Sequence, residues 1–434
     1  MTMSQQHATP ASPRPVIVRM GVFFDGTGNN QGNASFSPLG SGWEGGSYGN
    51  ARSNVALLHA LYPSGPVDGH LYLKHYVQGI GTTEGAADST YGKATGCGET
   101  GIEARVEQAL MRLDEQLHGY PDVEPACIEF DLFGFSRGAA AARHLANRLA
   151  KGASGLPVAL QGDRQINFIG LFDTVAALVA PLKGDFSPAN SQYHGLRLGL
   201  RKGLARQVVQ LVAGDELRHN FPLLRSDNDI VVPGVHSNIG GGYLERMQEK
   251  VLLCKPHASR VAQTTPVERT RAYALATGLL GSAFASLVGP RARLMTWEVP
   301  IAGSRARRDT PEKQVFAAVY REREVSGHLS RVYLSVMREL AVRGGVPFAA
   351  LGGDEAHHVP DELQAISSKL HDFALGRSAQ AALTTEEQAL LLAKYVHTSA
   401  HWNAVKGLHN SALDMMYIDR PAVGGRVMHQ NPAG

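Results

Sequence analysis

The sequence predicts an α/β fold with a mostly parallel central sheet, helices on its flanks, and helical cap elements or insertions. Three observations predict it. Apolar, β-rich runs at Val16–Phe24, Leu71–Val77, Cys127–Phe133, Ile166–Phe172 and Ile230–Val235 are separated by helix-forming or turn-rich stretches. The spacing between runs leaves room for strand–helix–strand crossovers, the pattern of a parallel sheet. The turn residues gather at the carboxyl ends of these runs, where sheets of this kind place their ligands.

The whole chain sets the outer bounds. Its 434 residues, 43% apolar and 19% charged, suit a folded soluble protein with a substantial core. A net charge of +3 is too small to argue for nucleic acid, and none is expected as a partner. Cys97, Cys127 and Cys254 have no metal-like spacing and leave one thiol over from any disulfide, so a reduced site of synthesis is expected, with no metal or cofactor. The polar, Pro-rich start, residues 1–15, reads as a disordered leader without the apolar region of a Sec-type signal peptide. Ala272–Val288 is uncharged but short for the ~20 residues of a membrane crossing, and it reads first as a buried core helix. A lid or membrane-contacting helix is its other reading.

Taken in order, Val16–Phe24 ends in the turn cluster Asp25-Gly26-Thr27-Gly28-Asn29-Asn30, which fits neither a dinucleotide-binding glycine pattern nor a P-loop. Residues 36–49 read as a loop, Asn54–Tyr62 as a short helix, and Gly79–Glu99 as a long loop. Gly101–His118 is a helix by its apolar spacing. Glu129 and Asp131 interrupt the strand that follows, which for a buried parallel strand is a departure. Asp173-Thr174 follows the next strand, either as an orienting acid or as the cap of a helix Val175–Val179. Gly195–Gly214 reads as a basic amphipathic helix or a pair of them, solvated or suited to anionic headgroups. His236 stands at the end of the last strand run, before a glycine-rich turn. From Glu249 to Gly434 the chain reads as mainly helical cap and insertions around a core spanning 16–248. His328–Arg343 and Thr384–His397 are the clearest helices there, beside an Arg-rich stretch at Arg305–Arg308.

The chemistry centres on Gly134-Phe135-Ser136-Arg137-Gly138 between a strand and an Ala-rich helix. A serine on such a turn projects its hydroxyl from the carboxyl end of the sheet, with a helix N-terminus behind it. An ordinary N-capping serine is the plainer alternative. Ser136, Asp173 and His236 occur in the order nucleophile, acid, histidine found in α/β-hydrolases, each at a strand end. His236 would take the serine proton, and Asp173 would fix the imidazole tautomer. The N–H of Arg137, with one from Gly26 or Thr27, would hold an oxyanion. Asp25, Asn238 and Asp131 are possible supporting residues. Asp227, Asp229 and Asp131 compete as acids, and His144, His219 and His401 as bases, without the same placement and order.

Four ordered blocks, FFDGTGNN (Phe23–Asn30), GFSRGAAAAR (Gly134–Arg143), GLFDTV (Gly170–Val175) and PGVHSNIGGGY (Pro233–Tyr243), carry a resemblance. Together they resemble the hydrolase-domain family that includes the first class of type VI secretion lipase effectors. Gly214–Arg218, with Phe221, is similar to a further block. The resemblance implies an α/β-hydrolase-like fold, phospholipase A activity and a Ser-Asp-His triad on Ser136, Asp173 and His236. It further implies synthesis in the bacterial cytoplasm, then delivery to the periplasm or membrane of rival cells. Its implied partners are membrane phospholipids, spike components of the secretion machine and a cognate immunity protein. The family usually carries Asp where Asn238 stands. A soluble carboxylesterase acting on small acyl esters and a non-catalytic secretion-associated binding protein are the rival readings.

Overall fold

The computed structural model describes residues 16–35, 46–152, 154–178, 189–285, 292–301, 311–406 and 415–433. The first half of the chain runs β1 (Val16–Phe24), α1 (Gln31–Ser35), α2 (Asn54–Leu61), β2 (Gly65–Val67), β3 (His70–Val77), α3 (Thr90–Thr95) and α4 (Ile102–His118). It continues through β4 (Pro125–Phe135), α5 (Arg137–Ala150), β5 (Arg164–Phe172), β6 (Gln207–Ala213), β7 (Leu223–Leu224), β8 (Asp229–Val232) and α6 (His236–Gly240). The main sheet has the order β2-β3-β1-β4-β5-β6-β8, parallel except for the edge strand β2. From β1 the chain passes to β3 on one side, whereas β4 leads to β5 on the other. The strand order therefore reverses between β1 and β4, the point at which open α/β sheets form a crevice at their carboxyl ends.

The period of two along each strand divides the side chains between two apolar layers. Val18, Met20, Val22 and Phe24 pack with Phe130 and Leu132 under α4 and α5. Phe23, Phe133 and Phe168 face the other way and stack across β1, β4 and β5, with ring centroids 5.2 and 5.6 Å apart. The charges that interrupt β4 are compensated. Asp131 is fully buried and accepts two bonds from Arg19, at 2.8 and 3.1 Å, with others from Tyr62 and Asn167. Glu129 lies beside Arg19 and Arg206.

The second half runs β9 (Met247–Leu252), β10 (His257–Ala262), α7 (Arg271–Gly281), β11 (Arg293–Ile301), β12 (Glu312–Val325), α8 (Leu329–Arg343), α9 (Asp361–Ala374) and α10 (Thr385–Leu390). The short strands β13 (Val405–Lys406), β14 (Met415–Met416) and β15 (Met428–His429) follow. This half is not mainly helical. β12 is the spine of a four-stranded antiparallel sheet, pairing with β10 and β11 along its first part and with β9 along its second. Val332, Tyr333, Val336 and Met337 of α8, with Leu363 and Ile366 of α9, cover the aromatic face of the main sheet.

Other expectations are corrected locally. Residues 207–213 form β6, a buried strand, so no basic helix spans 195–214. Residues 175–178 are not helical, and the supposed loop 79–99 contains α3. The uncharged segment is helical over Arg271–Gly281, but only Ala272 and Ala276 are buried and Leu275 is 43% exposed, so it is not a core helix. No helix among the described residues is long and apolar enough to cross a membrane. The leader 1–15, the stretch Arg305–Arg308, most of the loop 36–49 and the end of Ala272–Val288 lie outside the described residues.

Candidate active site

The elbow between β4 and α5 follows from its two glycines. A methyl group on Gly134 would lie 2.5 Å from the Gly138 carbonyl oxygen, and one on Gly138 would lie 2.3 Å from that of Asp25. No side chain fits at either place, so the strand can turn sharply into the helix only with glycine on both sides. Ser136 takes φ 58° and ψ −126° at the apex, a conformation that costs a non-glycine residue ~1–3 kcal/mol. Its N–H donates to Phe172 O at 3.0 Å, and its carbonyl accepts from Ala139 and Val175. The side chain caps nothing, which removes the N-capping alternative.

Asp173 follows β5 at φ 44° and is fully buried. His236 opens α6, and its Nδ1–H donates to Asp173 Oδ2 at 2.5 Å. Burial works to raise the Asp173 carboxyl, but the Arg426 guanidinium and the His236 bond outweigh it and hold the group far below the usual carboxylate range. An ionised carboxylate only accepts, so the His236 proton sits on Nδ1 and Nε2 carries the lone pair a base needs. Burial lowers the imidazole pKa against the pull of Asp173. The ring is gripped by Phe135 and Phe221, with centroids at 4.6 and 4.8 Å. Phe135 immediately precedes Ser136, and Phe172, whose carbonyl accepts from Ser136 N, immediately precedes Asp173, so all three candidates share one end of the sheet.

The loop after β1 lies against this elbow. The Gly26 N–H already donates to Asp25 Oδ1 at 2.7 Å, which removes Gly26 as an oxyanion donor. Its lack of a side chain makes room for Phe135, since a Cβ there would lie 2.4 Å from that ring. Among the described residues, the backbone N–H groups of Thr27 and Arg137 have no partner. Arg137 Nε donates to Thr27 Oγ1 at 2.7 Å and another guanidinium nitrogen bonds Lys93 O, so the two residues are joined. Burial pushes the Arg137 guanidinium down to about 10. Asp25 supports the turn, taking the Tyr76 hydroxyl at 2.5 Å as well, and burial pushes its carboxyl up to about 6.

The remaining candidates are structural. Asp131 sits about 16 Å back along β4 from Ser136, at ~3.3 Å per residue, and serves the Arg19 pair, not the elbow. Asn238 closes the first turn of α6 by accepting from Val235 N at 3.2 Å, and donates to Tyr395 O at 3.0 Å. His144 accepts from Arg197 N and is pushed down to about 4 by burial. Asp229 is taken up by Gln210 and Ser226, and His401 lies 3.7 Å from Asp419.

Sequence reasoning missed the groups behind the histidine. His236 N donates to Glu216 Oε2 at 3.1 Å, and Arg218 Nε and Nη2 bond the two oxygens of Glu216 at 2.8 and 2.9 Å. Burial acts to raise the Glu216 carboxyl, but Arg218 holds it down at about 2. The Arg218 guanidinium also lies over the Phe221 ring. The block Gly214–Arg218 signalled these residues without giving their task. Arg426, bonded to both oxygens of Asp173, had no signal at all.

The model of the T6SS phospholipase effector Tle1-like catalytic domain matches residues 19–156, which include the Asp25–Asn30 turn and the Ser136 elbow. Over residues 19–156 the chain is similar to the Tle1-like catalytic-domain family. The match ends before Asp173 and His236, but a structural likeness takes in both. The solved structure of the Tle1 effector bound to the VgrG spike from the Type 6 secretion system superposes with a TM-score of 0.74 at 27% identity, covering 99% of this chain and 98% of that one. An uncharacterized protein from Pseudomonas aeruginosa gives a TM-score of 0.44 at 20% identity, over 84% of this chain and 52% of that one, which carries no weight here. No curated protein matches the chain.

Proposed function

We propose that the chain is a serine phospholipase that cleaves acyl esters of glycerophospholipids through an acyl-enzyme. The carrying observation is the 2.5 Å bond from His236 to Asp173 at the same sheet end as the strained Ser136 elbow. Ser136 Oγ attacks the ester carbonyl as His236 Nε2 takes its proton. The carbonyl oxygen becomes an oxyanion held by the N–H groups of Thr27 and Arg137. Collapse breaks the ester bond, and the lysophospholipid alcohol leaves with the proton from His236. Water, deprotonated by His236, then attacks the acyl-serine and releases the fatty acid. Asp173 keeps the imidazole in one tautomer and stabilises its cation. An oxyanion donor is worth about 3 kcal/mol in such reactions.

The Tle1-like match and the likeness to a spike-bound effector support delivery by a type VI machine, with a spike component as carrier, into the periplasm of a target cell. An immunity protein in the producer belongs to the same reading. The test is mass spectrometry of the products from a phospholipid with two different acyl chains. Wild type is expected to release one fatty acid and one lysophospholipid, whose identities report the cut position, and Ser136→Ala to release neither. Turnover of short esters with no action on liposomes would support a small-ester carboxylesterase instead.

A further inference from the structure

Asp173 is surrounded by more donors than a triad acid requires. Its Oδ2 accepts from His236 Nδ1 at 2.5 Å and from Arg426 Nη2 at 2.7 Å. Its Oδ1 accepts from Ala213 N at 3.0 Å and from Arg426 Nη1 at 2.8 Å. A carboxylate offers about four lone-pair positions, and here all are filled, which leaves the group one orientation. Arg426 is fixed in turn, since its Nε donates to Phe221 O at 2.8 Å and the Phe221 ring packs on His236.

The arginine arrives from the far end of the chain. The segment 415–433 runs alongside residues 217–225. β15 pairs with β7, Leu223 N donates to Val427 O and Arg225 N to His429 O at 2.9 Å, and Ala422 N donates to Leu217 O at 2.8 Å. Asn431 closes the run on both backbone groups of Leu200. We propose that Arg426 is a positioning residue for ester cleavage, and that the segment 415–433 is therefore a working part of the site, completing the acid–histidine pair only when docked. The proposal rests on the triad reading above.

The arrangement has an electrostatic signature that mere docking lacks. The groups facing His236 and Asp173 are Glu216 and Arg218 from the stretch after β6 and Arg426 from the tail, besides the pair itself. Glu216 and Arg218 neutralise each other, so Arg426 is the added cation at the pair. It draws on the Asp173 charge and disfavours the imidazolium, trading some basicity for a fixed direction. Without it, His236 holds its proton to higher pH.

The experiment is the pH profile of kcat/KM for a monomeric p-nitrophenyl butyrate substrate, using the full chain as wild type, Arg426→Gln, Arg426→Lys and Ser136→Ala. Arg426→Gln is expected to lower kcat about 10–100-fold and to move the acid limb up by about half a pH unit or more. Arg426→Lys keeps the charge but loses the two-point hold, so kcat falls while the limb stays. A wild-type kcat in Arg426→Gln, or a loss with the limb unmoved, overturns the proposal. Should Arg426→Gln fail to fold, Arg426→Lys decides: reduced kcat at an unmoved limb supports it, and wild-type kcat overturns it. If Ser136→Ala keeps full turnover, the triad reading itself fails. If Ser136→Ala is inactive and Arg426→Gln is normal, only the role of Arg426 fails.

Discussion

Arg137 Nε donates to Thr27 Oγ1 at 2.7 Å, so one charged hydrogen bond joins two residues whose backbone N–H groups have no partner among the described residues. The loop after β1 and the first turn of α5 are thereby held at one separation. Such a bond is worth ~1.5–3 kcal/mol, and its loss costs most in a state where both N–H groups must meet one oxygen. Thr27→Val keeps the N–H and the side-chain shape but removes the acceptor. It is expected to lower kcat by about tenfold with little change in KM, measured by steady-state hydrolysis of a short-chain ester. An equal rise in KM at unchanged kcat would place the contact in substrate binding instead.

The φ of 58° at Ser136 separates stability from activity. Glycine reaches that conformation without the ~1–3 kcal/mol of strain a serine carries, though it brings a larger unfolded-state entropy of up to ~1 kcal/mol. Ser136→Gly is therefore expected to be at least as stable as wild type in urea denaturation while losing all ester hydrolysis. A variant clearly less stable than wild type would show that the serine side chain has a structural task at the elbow.

Stability is expected to rise with pH from about 2 to about 7. Asp173 and Glu216 titrate below their unfolded values of ~4, so the stability they contribute is present above those values and is lost as pH falls from about 5 toward 2. Asp25 is shifted the other way, to about 6. Between about 4 and 6 Asp25 works to lower stability as pH rises, against His59, His75, His144 and His397, which burial pushes down to about 4 and which together make stability rise through the same window. Asp25→Asn should steepen the rise between about pH 4 and 6 and leave the loss below pH 4 unchanged, as read from urea midpoints between pH 3 and 8. Identical curves for the two proteins would show that Asp25 ionises as freely when folded as when unfolded.

Much of the sheet and its site was legible because the relevant signals are local. Alternation in β1 and β5, the paired glycines around Ser136, and polar residues directly after strands all lie within a few positions of the groups they arrange. The misreadings came where partners lie far apart in the chain. Arg197, Arg201, Lys202 and Arg206 suggested a basic helix, yet Val209, Leu211 and Ala213 enter the sheet only because β5 and β8 bracket them. β11 keeps Met295 and Val299 exposed, and Tyr320–Glu324 alternates charges, so the antiparallel sheet has no continuous apolar run to reveal it. Arg426 stands between glycines and a short strand, and nothing within its own segment points to Asp173.

The most direct measurement is peptide mass spectrometry of the full chain after reaction with a fluorophosphonate, which captures a serine only when a base activates it. One stoichiometric adduct is expected on Ser136, formed at least about a hundredfold more slowly in His236→Ala. An adduct on another serine, or labelling of Ser136 at the same rate without His236, would contradict it.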